Sequence, residues 1–224
     1  MTRPSARASI LTIAMLSIAA PAAADKKAPH LDLWVTAIDG VTVTGGWDHA
    51  TGDLVNASQR VFEAELGLDP AFPFSGDEPG IGSDLVGTAV TMNLLQGLGA
   101  WNGSGFTASS FGLLASYAGQ DALSTTGGSF SFLVTAGLDL HPEYTLFAES
   151  GDPANGIYLA AFTVAAGGNT SSDTFWVVFN LGMAEAEHEA AVEWAEANLV
   201  PAPGVLAAAA IAGLTSARSR TRRR

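Results

Sequence analysis

The chain has 224 residues, of which 48% are hydrophobic and 14% are charged, and it contains no cysteine. This composition excludes bulk disorder, and the lack of cysteine excludes disulfide scaffolds, thiolate zinc sites and iron–sulfur clusters. The formal net charge is −12, and all 22 acidic residues lie between Asp25 and Leu199, where only three basic residues are found. An acidic body of this kind attracts cations and repels nucleic acid, so no nucleic-acid partner is predicted.

The first 24 residues have the three-part layout of a secretory signal peptide. Arg3 and Arg7 supply the positive charge, and the apolar stretch 10–20 is too short to span a bilayer. We therefore predict that the Sec translocon exports the chain and that signal peptidase removes residues 1–24. The predicted cleavage site consists of Ala22, Ala24 and Asp25.

The region 25–199 is predicted to form one exported β domain. Nine runs of alternating or β-rich sequence are separated by Gly, Pro, Asn and Asp residues that favour turns. Asp39-Gly40, between the first two runs, is a strong hairpin signal. This spacing predicts a mainly β fold, an antiparallel β-sandwich or a jelly-roll-like domain. The predicted strands cover residues 31–38, 41–47, 60–66, 87–95, 111–117, 129–138, 144–150, 157–165 and 174–180.

Residues 184–199 predict one C-terminal α-helix, because they are rich in the strong helix formers Ala and Glu. Glutamates near its start favour the helix through the macrodipole. Positions three and four residues apart define one apolar face, which we expect to pack on the sheet and close the domain. This face consists of Ala184, His188, Ala191, Val192, Ala195 and Leu199.

Residues 200–224 combine a Pro-x-Pro turn, a short apolar helix predicted over 204–217 and a cluster of arginines. The apolar run is shorter than the ~20 residues that span a bilayer, and arginine resists translocation. The tail is therefore predicted to hold the exported chain transiently in the inner membrane through a short membrane helix. The predicted sorting residues are Val200, Pro201, Pro203, Arg218, Arg220, Arg222, Arg223 and Arg224.

This order of parts resembles the PEP-CTERM sorting signal of exported bacterial proteins, although Ala202 stands where that pattern has Glu. The resemblance implies processing by an exosortase-like membrane protease and a final location in the cell envelope or outside the cell. Segments of the middle region resemble an uncharacterised, planctomycete-type group of such proteins, which implies export and a shared fold but no activity. These segments are residues 30–34, 60–65, 77–80, 101–103, 156–159 and 173–180.

Histidines close to carboxylates are the best candidates for chemistry in the middle region. Asp139 and His141 share a face if they lie on a strand, and Glu185 and His188 share a face of the predicted helix. Imidazole combined with carboxylate suits divalent transition metals, although none of these spacings is an established metal signature. Solvated polar residues are the competing interpretation. The candidate metal ligands are His30, Asp32, His49, His141 and His188.

Two other ligand classes stay open. The acidic loops 77–78 and 152–155 offer oxygen ligands for calcium, but they lack the EF-hand pattern. Trp47 and Trp101 lie beside turn signals and are candidates for rings that stack on a sugar, such as a matrix polysaccharide.

No catalytic residue is predicted. The Gly-x-Ser-x-Gly elbow is absent, and Glu63 and Glu65 fit the polar face of an edge strand better than a glycosidase pair. The sequence therefore predicts an exported, non-enzymatic protein with a structural or binding role at the cell surface or in the extracellular matrix. One alternative is a module that binds a divalent metal or depends on it, and this metal is then the only predicted cofactor. The other alternative is a carbohydrate-binding β-sandwich.

Overall fold

The computed structural model describes residues 31–48 and 51–201. The predicted signal peptide, His30, His49, Pro203, the apolar segment 204–217 and the arginine cluster lie outside the described residues. Within the described ranges, no helix has the length and apolar character needed to cross a membrane. The elements are β1 (Asp32–Ile38), β2 (Val41–Asp48), β3 (Asp53–Asn56), β4 (Val61–Leu66), β5 (Ser75–Gly76), β6 (Ile81–Ser83), β7 (Ala89–Leu94), β8 (Gly99–Trp101), β9 (Phe106–Ala108), β10 (Gly112–Tyr117), β11 (Gln120–Leu123), β12 (Gly127–Leu133), β13 (Glu143–Phe147), β14 (Gly156–Ala166), β15 (Phe175–Leu181) and α1 (Glu185–Leu199).

The smaller sheet has the strand order β3-β2-β1-β6. β1 and β2 form an antiparallel hairpin that is closed by Asp39 and Gly40, both with positive φ (51° and 78°). Two consecutive positive φ values are the geometry of a type I′ turn, which the right-handed twist of paired strands favours. β6 joins the other side of β1 in a parallel pair, and this pairing brings residues near 80 beside the start of β1.

The larger sheet has the strand order β4-β15-β14-β7-β12-β11-β10-β13-β5, and β8 and β9 extend from β14. The Gly67 N–H donates to the Ser75 carbonyl at 2.8 Å, so the chain just after β4 meets the opposite end of the sheet at β5. The sheet is therefore nearly closed. Its first pair, β4 with β15, is parallel.

The prediction of a mainly β fold with one C-terminal helix is confirmed. The structure differs from a purely antiparallel arrangement, since β1–β6 and β4–β15 are parallel pairs and the larger sheet is nearly closed. β4 and β15 are separated by more than 100 residues. Local sequence patterns define each strand but carry no information about the direction of so distant a partner.

One buried core joins the two sheets. Buried rings such as Phe130, Phe162 and Phe179 come from the larger sheet, and Leu33 and Ile81 of the smaller sheet belong to the same cluster. A smaller hydrophobic core lies under α1, where the helix covers the β4–β15–β14 side of the large sheet. It consists of Val61, Ile157, Val178, Ala191 and Ala195.

Candidate metal centres

The first group of metal-ligating side chains forms where β1, β6 and the segment before β13 meet. The Leu33 N–H donates to the Gly80 carbonyl at 2.9 Å, and Ile81 exchanges two backbone hydrogen bonds with Leu140 at 2.7 and 3.1 Å. Asp139 and His141 flank Leu140, so their side chains share one side of this short bridge.

In this first cluster, defined as Asp32, Asp139 and His141, one candidate ligand atom from each residue lies within 4.8 Å of the other two. His141 Nδ1 lies 3.1 Å from the Asp77 carbonyl, which only accepts, so we place the proton of the neutral ring on Nδ1. The other ring nitrogen, Nε2, lies 3.1 Å from Asp139 Oδ1, which accepts a hydrogen bond from Nε2 when that nitrogen also carries a proton. In the neutral ring, Nε2 instead presents its lone pair to the carboxylates of the cluster.

A third carboxyl group, Glu78, lies against the cluster. The Gly80 N–H donates to Asp32 Oδ1 at 2.8 Å and to Glu78 Oε2 at 2.9 Å, so one donor holds both carboxyl groups together. Burial, and then the hydrogen bond and charge of Asp32, raise the pKa of Glu78 to about 7. Burial lowers the pKa of His141, but the Asp77 carbonyl and the nearby carboxylates raise it above its usual value overall. Neighbouring negative charge contributes to the rise of both pKa values.

Gly80 leaves space that any other residue would fill. A Cβ at this position would lie 2.8 Å from His141 Cε1 and 3.0 Å from Asp32 Oδ1. Real Cβ contacts essentially never fall below 3.0 Å, so His141 would have to move. Close approach of the backbone therefore sets the positions of the two ligands.

The second cluster, defined as Glu65, Glu185 and His188, lies where α1 begins on the surface of the large sheet. Glu65 is in β4, opposite Asn180 of β15, and Glu185 and His188 are in the first turns of the helix. One candidate ligand atom from each of the three lies within 4.8 Å of the other two. His188 is fully buried, whereas Glu185 is exposed.

A cavity of about 640 Å³ connects the surroundings of the two clusters. Glu65, Asn180 and Glu185 line one part of its wall, and Asp77 and Glu78 line another. The cavity therefore gives ions a route from solvent to the second cluster and to the edge of the first.

Neither cluster contains a lysine or arginine. In the described ranges Arg60 is the only residue of either type, and its guanidinium lies 2.8 Å from an Asp173 carboxylate oxygen and 6.0 Å from the centre of the Trp176 ring. Within the described ranges, the carboxylates of both clusters thus lie beside each other and histidine, and Arg60 is paired elsewhere.

The structure describes three of the five predicted metal ligands and places them in two groups. Asp32 and His141 come together, with Asp139 as predicted two residues from His141, whereas His188 belongs to the second cluster. Glu78, predicted only as part of an acidic calcium loop, contacts the first cluster, while Asp152 is exposed elsewhere.

Sequence reasoning missed the proximity of Glu65 to Glu185 and His188, because Glu65 was interpreted as part of the polar face of a strand. The interpretation was locally correct, since Glu63 and Glu65 alternate with buried residues in β4. The parallel pairing of β4 with β15 is what brings Glu65 to the start of α1, and no local pattern signals that pairing.

The remaining predicted site residues pack against neighbouring rings or follow the helix. Trp47 is half-buried with its ring centre 5.6 Å from that of Trp34, and half-buried Trp101 lies 5.2 Å from Phe106 and 6.1 Å from Trp194. Val200 directly follows α1, and Pro201 after it is exposed.

Comparisons with known proteins gave no match to a family model, to a curated protein or to a solved structure. The side chains of the two clusters and the targeting segments predicted from the sequence are therefore the features that point to a function.

Proposed function

We propose that this chain is an exported protein of the cell envelope or extracellular matrix whose β domain binds a divalent transition-metal ion at the first cluster. In this proposal its role is structural or binding, and the domain catalyses no reaction. The export part rests on the predicted signal peptide and arginine-flanked tail. The metal part rests on the geometry of Asp32, Asp139 and His141.

The observation that carries the metal proposal is the orientation of His141. Its Nδ1–H is held by the Asp77 carbonyl, an arrangement typical of metal-bound histidine because it fixes the ring and its tautomer. Its Nε2 lies 3.1 Å from Asp139 Oδ1. Two ligands about 2.0–2.1 Å from one tetrahedral zinc ion are about 3.3 Å apart, so this separation suits a shared ion.

The charge of the cluster supports the same conclusion. Asp32 is 4% exposed, and a buried carboxylate is costly unless a positive charge or hydrogen bonds compensate it. Gly80 supplies a single N–H, and the carboxyl group of Glu78 lies beside that of Asp32. A divalent ion would supply positive charge beside Asp32 and its neighbouring carboxyl groups.

Such an ion would have a mechanical effect on the domain. Asp32 belongs to β1 of the smaller sheet, whereas Asp139 and His141 belong to the connection between β12 and β13 of the larger sheet. A shared metal would therefore tie the two sheets together. Binding to the folded state alone stabilises it by about 2.7 kcal/mol at a free metal concentration of 100 times Kd.

The test is zinc titration of the metal-free chain by calorimetry, combined with thermal unfolding. We expect Asp139→Asn to weaken the binding event at this cluster by about tenfold or more and to reduce the zinc-dependent rise in Tm. Asp152→Asn, an exposed carboxylate outside the cluster, is the matched control. Equal binding by wild type and Asp139→Asn, or an equal loss in both variants, would overturn the proposal.

A further inference from the structure

The side chain of His188 has one ring nitrogen with no hydrogen bond. His188, in α1, is 0% exposed and contacts β15 at Val178. Its Nε2–H donates to the Val178 carbonyl at 2.9 Å, which fixes the neutral tautomer and leaves the lone pair on Nδ1. Among the described residues, this Nδ1 is the only buried side-chain nitrogen or oxygen without a hydrogen-bond partner.

The atom nearest to this nitrogen on a charged group is a carboxylate oxygen. Nδ1 lies 3.2 Å from Glu65 Oε1, a distance that allows charge attraction although the ring plane is not aligned for a hydrogen bond. The separation again matches the ~3.3 Å expected between two ligands of one zinc ion. A buried lone pair beside a carboxylate is a position that a metal ion or a proton can occupy.

The other two ligands are held in place or are free to turn toward the ion. The Asn180 amide donates to Glu65 Oε1 at 3.2 Å, and Asn180 Oδ1 accepts the Met183 N–H at 3.0 Å. Asn180 is 3% exposed, so it is a fixed support for Glu65. Glu185 is exposed on the first turn of α1 and reaches the site from the solvent side.

The site opens on the acidic cavity rather than on the core. Glu65, Asn180, Met183 and Glu185 all line the cavity of about 640 Å³, so an ion can enter without unfolding of the helix. A metal held by three side chains here would keep a coordination position for water on the cavity side.

We propose that Glu65, Glu185 and His188 form a second divalent-metal site, separate from the first cluster, in which the ion joins helix α1 to strand β4. One imidazole and two carboxylates favour a first-row transition ion such as Zn²⁺ over Ca²⁺, which prefers oxygen ligands only. The inference does not depend on metal binding at the first cluster, since the two share no ligand.

A proton is the competing occupant of this position. Burial lowers the pKa of His188, but the Glu65 carboxylate and the Val178 carbonyl raise it above its usual value overall. A proton bound to Nδ1 would lie beside the Glu65 carboxylate. Metal binding would displace this proton, so the two states differ in what Nδ1 is bonded to.

The test uses two glutamates of one helical turn. In a His141→Gln background, which removes the first cluster, zinc titration by calorimetry should show one site. We expect Glu185→Gln to weaken that site by about tenfold or more, and Glu187→Gln, which is equally exposed on the first turn, to leave it within twofold. Unchanged binding in Glu185→Gln, or an equal loss in both variants, would overturn the inference.

Replacement of the buried His188 itself could unfold the domain, so its role is read by NMR in the unmodified chain. Zinc should shift the ¹⁵N resonance of His188 Nδ1 strongly. Nε2 should keep its proton, which it donates to the Val178 carbonyl. An unchanged Nδ1 resonance at saturating zinc would overturn the second site. If zinc shifts the ¹⁵N resonance of His188 but not that of His141, the first metal site is overturned and the second stands. The two proposals therefore fail independently.

Discussion

Gly80 is the single residue on which the geometry of the first cluster depends most closely. A methyl group at Gly80 would contact His141 and Asp32 too closely, whereas a Cβ added at Gly168 would have no other atom within 4 Å. We therefore expect Gly80→Ala to weaken zinc binding at the first cluster by about tenfold or more and to lower stability by about 1–3 kcal/mol through overpacking. Calorimetry and urea unfolding measure the two effects.

Gly168→Ala is the matched control, and it should change neither quantity by more than about 0.5 kcal/mol. If Gly80→Ala binds zinc as wild type does, the contact between Gly80 and the ligands has no part in forming the site.

Glu78 gives the metal-free domain a pH dependence with a definite sign. Folding raises its pKa from 4.5 to about 7, so the stability that its proton provides is complete below pH 4.5 and is lost as pH rises through 7. Glu78 is 38% exposed, and after allowance for solvent screening we expect a loss of about 1 kcal/mol.

The measurement is urea unfolding in EDTA at pH 5 and pH 8. Wild type should lose about 1 kcal/mol more between these values than Glu78→Gln, because glutamine cannot titrate. Glu149→Gln, an exposed glutamate elsewhere, should keep the wild-type difference. A wild-type pH dependence in Glu78→Gln would contradict the assignment.

The sequence predicted those parts of the clusters that are local. Asp139 with His141, and Glu185 with His188, follow from strand and helix periodicity, and both pairs are present in the structure. Asp32 was predicted as a ligand, but its proximity to His141 depends on the pairing of β1 with β6 and of Ile81 with Leu140. Glu65 was not predicted as a ligand, because its position depends on the pairing of β4 with β15 across more than 100 residues. Periodicity identifies which side chains share a face, but it does not identify what that face meets.

At the scale of elements, the nine predicted strands correspond to the nine most strongly patterned strands of the structure. The six missed strands are β3, β5, β6, β8, β9 and β11, each two to four residues long. β5, for example, is only Ser75 and Gly76, and its extended form depends on its pairing with β13. Such segments have no intrinsic signal, since neighbouring strands impose their conformation.

Helix α1 begins without a side-chain cap. Ala184 occupies the N-cap position with extended φ and ψ of −67° and 144°, and no side-chain hydrogen bond satisfies the first N–H groups. Serine at this position can accept one of them, so we expect Ala184→Ser to stabilise the metal-free domain by about 1 kcal/mol. Urea unfolding in EDTA measures the change.

Ala186→Ser, inside the helix, is the control, and it should be neutral or slightly destabilising because serine is a poorer helix former than alanine. A gain of equal size in both variants would show that the cap is not its origin.

At the scale of the whole molecule, charge and topology support the same function. Arg60 is the only lysine or arginine in the described ranges, and it is paired with Asp173, so acidic residues dominate the surface and the cavity. Both clusters join segments that are distant in the chain: β1 with the connection before β13, and β4 with α1. Bound cations would lower the repulsion among carboxylates and connect these segments, which suits a domain that contains no cysteine for disulfides.

The export proposal makes its own prediction at the tail. Arginine resists translocation, so the five arginines after the apolar segment 204–217 should hold the exported chain at the inner membrane until it is processed. Replacement of all five by glutamine should release the chain unprocessed, whereas replacement by lysine, which keeps the charge, should preserve retention. Cell fractionation and the mass of the released chain separate these outcomes. Normal retention and processing of the glutamine variant would contradict arrest by charge, and failure of the lysine variant would show that a receptor reads the guanidinium groups themselves.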